Sequence, residues 1–206
     1  MTTIVKAPFP FHVRLRRRSA ILSRWLHLYL SMVSFAVVLF FAVTGLTLNH
    51  AEWFAGQVKE SRFTGTVPAE WLQGAAPNQS AIVARLRSAH GIKGAVSDFR
   101  VDEGQISVSF KGPGYAADAF IDRDKGTYDL VETRNGFVAV MNDLHKGRDA
   151  GPGWSMLIDV SAVLLTLVSL TGLLLLFFVY KRRTSGLILV AAGAMVCWLV
   201  WLRFVP

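Results

Sequence analysis

The sequence predicts a membrane protein of the α-helical class, with three transmembrane helices and a small α+β domain inserted between the first and the second. The chain has 206 residues, of which 52% are hydrophobic, and its mean hydropathy is +0.40. Its apolar residues also cluster in three runs, each close to the roughly 20 residues that a helix needs to cross a bilayer. Ordinary soluble domains of this size are less apolar and lack such runs.

The three apolar runs define the predicted spans. They cover about 26–48, 156–180 and 186–202, within transmembrane helices that we assign to 20–49, 154–181 and 185–203. The first run is longer than the 7–15 apolar residues of a secretory signal, and no small-residue cleavage site follows it. We therefore expect the first span to be retained.

The distribution of charge predicts how the chain crosses the membrane. The net charge is +8, yet the segment 50–153 carries 12 basic and 13 acidic residues. The excess positive charge lies in residues 1–25 and in the loop at 181–183, and positive loops stay in the cytoplasm. The sequence thus predicts a membrane protein with a cytoplasmic N-terminal segment (1–19) and a domain (50–153) on the opposite side of the membrane. The basic run VRLRRRS directly precedes a span, which favours contact with anionic membrane lipid over nucleic acid.

Short elements are predicted in the segment between the first two spans. Residues 51–75 read as irregular, apart from a short helix at 68–73, and a helix follows over SAIVARLRSAHG with Gly91 as its C-cap. Turn residues at Gly104, 112–114 and 124–126 separate strand-like segments. These segments are 95–101, 105–110, 117–123 and 127–133, before a second helix at 135–147. We expect three or four of them to form an antiparallel meander.

Three of the five histidines lie where a span meets polar sequence. His27 and His50 flank the first span, and His145 precedes the second. Ionisable groups at such positions are costly and often functional, although anchoring in the membrane interface is the simpler interpretation of one histidine alone. His90 ends a predicted helix and is expected to be a cap or surface residue. His12 is expected to be solvated or at the lipid headgroups.

The spacing of these histidines limits which of them share a ligand. His27 and His50 are 23 residues apart, which is about 34 Å along a continuous helix. His50 and His145 both belong to the outer rim and are expected to meet there. Two imidazoles suit the axial positions of haem b. Zinc remains an alternative, because Asp143 or Asp149 could add a further ligand.

Other residues near this rim are consistent with haem. Gly45 leaves room for a flat macrocycle near His50, and Lys146 and Arg148 are expected near its propionates. Asp159 is expected either to accept the second ring N–H of a ligand histidine or to bridge helices. The alternative for the two cations is an ordinary juxtamembrane position.

His27 has no predicted ligand partner within the chain. Tyr180 and Lys181 are the nearest polar groups expected from the second span. A homodimer would allow two copies of His27 to hold one inner haem, with Gly172 giving clearance. Otherwise His27 binds nothing.

Four segments resemble the small PepSY-associated transmembrane proteins of bacteria. They are RWLHLYL (24–30), VTGLTLNHAEWF (43–54), NDLHKGRDAGPGWSMLIDVSAVLL (142–165) and SLTGLLL (169–175). The resemblance implies a PepSY-like fold for the inserted domain and places family histidines at His27, His50 and His145. Larger relatives are inner-membrane proteins, some of them linked to haem binding and to the reduction of ferric siderophores on the periplasmic side. The resemblance therefore implies a bacterial inner-membrane location for this chain, with residues 50–153 in the periplasm. This chain has fewer spans than those relatives.

Two functions from different classes follow. The first is a ferric-chelate reductase or electron-transfer subunit with haem b, whose acceptor is a ferric siderophore. The sequence has no nucleotide or flavin fingerprint, so a quinol or another protein would donate the electrons. The second is a non-enzymatic, membrane-tethered PepSY domain that binds a periplasmic peptidase or sensor.

The single cysteine, Cys197, excludes an intramolecular disulfide.

Overall fold

The computed structural model describes residues 11–74 and 77–206. Its α-helices and β-strands are α1 (Phe11–Asn49), β1 (Lys59–Thr66), α2 (Gln79–His90), β2 (Ala95–Val101), β3 (Gln105–Gly112), β4 (Tyr115–Asp122), β5 (Thr127–Arg134), α3 (Phe137–Lys146), α4 (Gly151–Phe178) and α5 (Arg183–Phe204). Short 3₁₀ helices lie at Ala51–Gln57, Ala69–Trp71 and Tyr180–Arg182. Residues 1–10 of the predicted N-terminal segment, and the His12 side chain, are outside what the structure describes.

Three helices are long and apolar enough to cross a membrane. They correspond to Leu15–Asn49, Gly151–Phe178 and Tyr180–Phe204, which confirms the predicted membrane-helical class. The first helix begins at Phe11, whereas the sequence predicts its span from residue 20. Arginine and leucine favour the helix and no glycine or proline interrupts residues 11–20, so the helix continues through the basic segment.

Small hydroxyl residues form the buried positions of these helices. In the described part of α1, α4 and α5, the buried residues are Ser23, Ser34, Thr44, Ser161 and Thr171. Their separations of ten or eleven residues within a helix correspond to about three turns, so the members on one helix lie near one face. Small side chains at such positions let membrane helices approach closely.

The sheet has five antiparallel strands in the order β1-β5-β4-β3-β2. The predicted meander corresponds to β2–β5. The strand β1 lies where the sequence predicts irregular structure, because KESRFTGT is polar and has no strong apolar alternation. It pairs with β5 along its whole length, and Gly65 lies opposite Tyr128. A side chain at Gly65 would collide with the Tyr128 ring, so glycine is needed there.

Helix α2 covers one face of the sheet and completes an apolar core. The Asn78 side chain accepts a hydrogen bond from the Ala81 backbone N–H and caps the helix, while Gly91 ends it with a φ of 64°. Ile82 and Leu86 of α2 are buried against strand residues such as Phe110. The repeated alternation of buried and exposed positions in β3, β4 and β5 places their apolar side chains on this face.

The contacts divide the chain into two units. One contains the described residues up to Val38 together with Asp159–Pro206, and the other is Leu39–Ile158. The second unit contains the sheet, α2, α3 and the adjoining ends of α1 and α4.

Candidate functional site

His145 is held against the last turns of α1 by a hydrogen bond to Thr44. Its Nδ1 atom lies 2.6 Å from Thr44 Oγ1. The Thr44 hydroxyl donates its own hydrogen to the Phe40 carbonyl, 2.6 Å away. Because that hydrogen is already used, the hydroxyl oxygen accepts from His145, and Nδ1 carries the proton. In the tautomer with the hydrogen on Nδ1, the Nε2 atom carries the lone pair.

Glycine and phenylalanine complete the surroundings of the His145 ring. A Cβ at Gly45 would lie 3.5 Å from His145 Cε1, so the ring is in van der Waals contact with the glycine backbone. The Phe41 ring meets His145 edge-on, with a centroid distance of 5.0 Å. The sequence predicts that Gly45 leaves room for a macrocycle near His50; in the structure, the ring that rests on Gly45 is that of His145.

Helix α3 carries a second polar contact to α1, one turn before His145. Thr47 Oγ1 donates to Asn142 Oδ1 at 2.8 Å, and Asn142 is 7% exposed. The sequence offers a signal for this contact that was not used: Asn142 and His145 are three residues apart and share a helix face.

The same helix α3 contacts the sheet domain through Asp143. Its Oδ2 accepts a hydrogen bond of 2.8 Å from the Gly114 backbone N–H. Gly114 has a φ of 66°, and a side chain there would collide with Val140 of α3. The turn between β3 and β4 is therefore packed directly on α3, and Asp143 is committed to this turn.

His27 is held in the same way by α4. Its Nδ1 lies 3.1 Å from the Val168 carbonyl oxygen and 3.1 Å from Thr171 Oγ1. A carbonyl only accepts, so Nδ1 carries a hydrogen, and in that tautomer Nε2 again carries the lone pair. The prediction that Tyr180 and Lys181 are the nearest polar groups was wrong, because a threonine inside an apolar run is easily overlooked as a hydrogen-bonding partner.

The sequence Thr-Gly-Leu occurs in α1 and in α4. Each copy contacts a histidine that belongs to another helix. A Cβ at Gly172 would lie 3.1 Å from His27 Cε1, closer than the corresponding 3.5 Å at Gly45. In both cases the threonine hydroxyl lies within hydrogen-bond distance of the histidine Nδ1, and the glycine, which has no side chain, leaves space for the imidazole ring. We call these two arrangements, Thr44–Gly45 with His145 and Thr171–Gly172 with His27, the histidine seats.

His50 has different neighbours. It follows the end of α1, stacks on Trp53 with a centroid distance of 4.1 Å and an interplanar angle of 8°, and its Nδ1 is 3.4 Å from Glu52 Oε1. The structure brings His145 to Thr44 and Gly45 but gives no contact between His145 and His50 among the described residues. Their axial pairing remains a prediction.

His90 forms its hydrogen bond through Nε2 rather than through Nδ1. Its Nε2 lies 2.8 Å from the Tyr128 hydroxyl, and its ring packs on Phe63 at 4.8 Å. His90 is thus a half-buried residue that ties α2 to the sheet, which corrects the prediction of a cap or surface residue; Gly91 is the C-cap. At His27, His50 and His145, by contrast, Nδ1 is the atom beside an acceptor.

The remaining predicted residues lie on the surface. Lys146, Arg148 and Asp159 are exposed. Asp159 was expected as an acceptor for a histidine N–H, but at His145 that role belongs to Thr44. Within residues 11–74 and 77–206, no group of three or more His, Cys, Asp or Glu side chains is placed to hold a metal ion. The zinc alternative therefore has no third ligand in the part described.

The sheet contains one buried carboxylate that the sequence did not single out. Glu132 is 3% exposed and accepts hydrogen bonds of 2.8 Å from Tyr115 and from Arg134. Burial is the largest single influence and raises the pKa of Glu132, but these hydrogen bonds and the positive charges of Arg134 and Lys93 together outweigh it, and the pKa lies below its ordinary value. Burial and the bond to Glu132 raise the pKa of Tyr115.

Comparison with known protein families identifies the chain. The model of the PepSY_TM-like family matches residues 21–206, which includes both histidine seats and the whole sheet domain. The chain belongs to the PepSY_TM-like family. No curated protein and no solved structure matched the chain. For this PepSY_TM-like protein, the geometry of the histidine seats is therefore the principal guide to function.

Proposed function

We propose that this PepSY_TM-like protein is a membrane-bound b-type haem protein that delivers electrons to an acceptor outside the cytoplasm. The acceptor is a ferric siderophore or another ferric chelate used in iron uptake. The observation that carries the proposal is the state of the histidines: His27 and His145 are each held by Nδ1, which leaves Nε2 as a donor atom. His50 also has an acceptor next to Nδ1.

The residues present fit a haem iron. A metal-binding histidine commonly donates its second ring N–H to an oxygen acceptor, which fixes both the tautomer and the ring orientation. Thr44 and the Val168 carbonyl supply such acceptors. His145 and His50 would hold one haem b, and His27 would hold another together with a ligand from a second copy of the chain. When bound, haem b supplies reversible one-electron transfer between ferrous and ferric iron.

The polypeptide contributes orientation and charge. Each histidine seat restrains the imidazole on two sides, through the threonine oxygen and the glycine backbone, so Nε2 is presented in one direction. Lys146 and Arg148 are exposed beside His145 and would pair with haem propionates. A second copy of the chain would supply the missing ligand at His27, which makes a homodimer part of the proposal.

The direction of transfer follows from the charge distribution. The basic ends near residues 14–24 and 181–183 would face the cytoplasm under the positive-inside rule. The sheet domain and His145 would then face the periplasm of a bacterial inner membrane. A quinol or a membrane protein would supply the electrons.

A second candidate function is a non-enzymatic tether for the sheet domain. One observation favours it: the domain has a complete apolar core that involves none of His27, His50 and His145. The hydrogen bonds at the histidine seats would then serve only to join helices. Such a domain would bind a periplasmic peptidase or sensor.

A reduced-minus-oxidised absorption spectrum of the purified full-length protein separates the two candidates. With haem supplied during expression, we expect the bands of low-spin b-type haem. His145→Ala removes the signal of one haem, whereas the matched control His90→Ala, a histidine bound through Nε2, retains it. Absence of any b-type signal would reject the proposal and leave the tether.

Thr44 variants test how the seat acts on His145. Thr44→Val removes the acceptor for Nδ1–H and is expected to shift the reduction potential of the haem at His145, because the imidazole becomes a weaker donor. Thr44→Ser keeps the hydroxyl and should retain the wild-type potential. If both variants behave alike, the hydroxyl does not tune the ligand.

A further inference from the structure

Uncompensated positive charge characterises one end of the helical unit. Residues 1–38 and 159–206 carry ten Lys and Arg residues but one acid, Asp159, and nine of the ten basic residues lie within 1–25 or 181–183. The ion pairs found among the described residues all lie between residues 50 and 134. The cations near the α4–α5 turn thus have no carboxylate counterion in the described part of the chain.

Two of these arginines are ordered by aromatic rings. The Arg16 guanidinium lies 5.0 Å from the centre of the Tyr180 ring, and the Arg183 guanidinium lies 5.2 Å from that of Phe177. An aromatic ring occupies the face of a guanidinium and leaves its N–H edge for an anion. Both cations are therefore positioned without being neutralised.

A groove begins at Arg183 and at the Tyr180 ring on which Arg16 stacks, and it continues along α5. Its volume is about 610 Å³. Tyr180, Arg183 and Thr184 line its polar end. Leu187, Ile188 and Ala191 line the rest, one helical turn after another. The α4–α5 hairpin that holds the groove is closely packed, since a side chain at Gly186 would collide with Leu176.

We propose that this groove binds one anionic phospholipid. Its phosphate would lie at the polar end, between Arg16 and Arg183 and near the hydroxyls of Tyr180 and Thr184. One acyl chain would lie along Leu187, Ile188 and Ala191. A polar end whose charged side chains are all cationic, next to an apolar stripe on a membrane helix, is complementary in charge and shape to such a lipid. The site is independent of haem and of the histidine seats.

Native mass spectrometry of the full-length protein in detergent tests this site. Phosphatidylglycerol and phosphatidylcholine with identical acyl chains are titrated, and the dissociation constant of the first adduct is compared. We expect phosphatidylglycerol to bind more tightly. The double variant R16Q/R183Q should weaken its binding about 25-fold, since each basic side chain near anionic lipid contributes roughly a factor of five.

The matched control is Arg203→Gln. Arg203 also stacks on a ring, that of Phe204, but at the opposite end of α5. We expect R203Q to retain wild-type affinity and wild-type helical content, and R16Q/R183Q to retain the helical content alone. Equal affinity for the two lipids, or an equal loss in R203Q, would overturn the proposal.

Two further arms separate a lipid site from a simple phosphate site. Ala191→Trp fills the apolar part of the groove without changing charge and should weaken phosphatidylglycerol binding. Glycerol phosphate, which is the headgroup without acyl chains, should not displace the lipid at equal concentration. Displacement by glycerol phosphate, or full binding by A191W, would show that the groove does not hold the acyl chain.

Discussion

The sheet domain and the long helices bury opposite kinds of residue. In the sheet domain, the buried cluster is apolar and includes Phe110, Leu130 and Ile82. In the described part of the long helices, the buried positions are serine or threonine, and the large apolar side chains are exposed or partly exposed. In water, burial of apolar area stabilises the fold. In lipid, that driving force between helices is absent, and close approach and hydrogen bonds take its place.

The charges follow the same division. Residues 39–158 are close to neutral and contain the ion pairs found in the described structure, whereas the helical unit has almost no acids. A domain in water can neutralise its charges internally. A membrane unit uses them at its ends, where water and lipid headgroups solvate them. The following substitutions test how far this contrast holds.

The largest effect is expected in the apolar core of the sheet domain. Phe110 is fully buried, and Phe110→Ala should lower the free energy of unfolding of the domain by about 3–5 kcal/mol. Urea unfolding of the full chain in detergent, followed by hydrogen exchange of the strands, measures it. Phe120→Ala is the control: Phe120 is 46% exposed on the other face of β4, and a similar loss there would contradict the core that we describe.

A smaller effect is expected at the buried carboxylate. Glu132→Ala leaves the Tyr115 hydroxyl without its acceptor and should cost about 1–3 kcal/mol. The pKa of Glu132 is lower when folded than its ordinary value of 4.5. The stabilisation is therefore present above about pH 4.5 and is lost as the pH falls through the lower, folded pKa.

Unfolding measured between pH 7 and pH 3 checks the sign of this dependence. The wild-type protein should lose stability towards the acidic end, and Glu132→Gln should flatten that slope. Glu103→Gln, in an exposed turn, serves as the reference. An unchanged slope in Glu132→Gln would show that other carboxylates control the acid response.

The smallest effect is expected at a buried serine of α1. Ser34 is 0% exposed, and its hydroxyl donates to the Ser31 carbonyl of its own helix at 3.3 Å. Ser34→Ala keeps a small side chain and should change stability by less than about 0.6 kcal/mol. Ser34→Leu should lower the free energy of unfolding by about 1–3 kcal/mol, because the larger side chain fits this buried position only if the packed helices move apart and lose contacts.

Steric trapping or titration with a denaturing detergent measures these two variants. Phe35→Leu, at a 66% exposed neighbour, should be neutral. If Ser34→Ala were as damaging as Ser34→Leu, the hydroxyl itself would be the stabilising group rather than the small volume.

Much of the fold was predictable from periodicity and turn residues. The three apolar helices, α2 with its Gly91 cap, and β2–β5 are all present near their predicted positions. Strand β1 was missed because its stability comes from pairing with β5 and from the fit of Gly65 to Tyr128, neither of which shows in the local sequence. The charge pattern of residues 11–20 does not predict the helical continuation to Phe11, although the helix propensity of the same residues favours it.

The site was predictable only in part. Histidines at the ends of spans, and the repeated Thr-Gly-Leu, were visible in the sequence. That each threonine binds a histidine from another helix was not, because it depends on the register between helices 101 and 144 residues apart in the chain. The role of Asp143 was likewise hidden, since a carboxylate next to a histidine suggests a metal ligand rather than a partner for the Gly114 backbone.

Helix α3 joins these two kinds of structure. Through Asp143 and Val140 it holds the β3–β4 turn, and through Asn142 and His145 it holds the end of α1. A single helix of ten residues thus contacts the β3–β4 turn and the end of α1. Because one helix contacts both, we expect a displacement of the β3–β4 turn to change the position of the His145 imidazole.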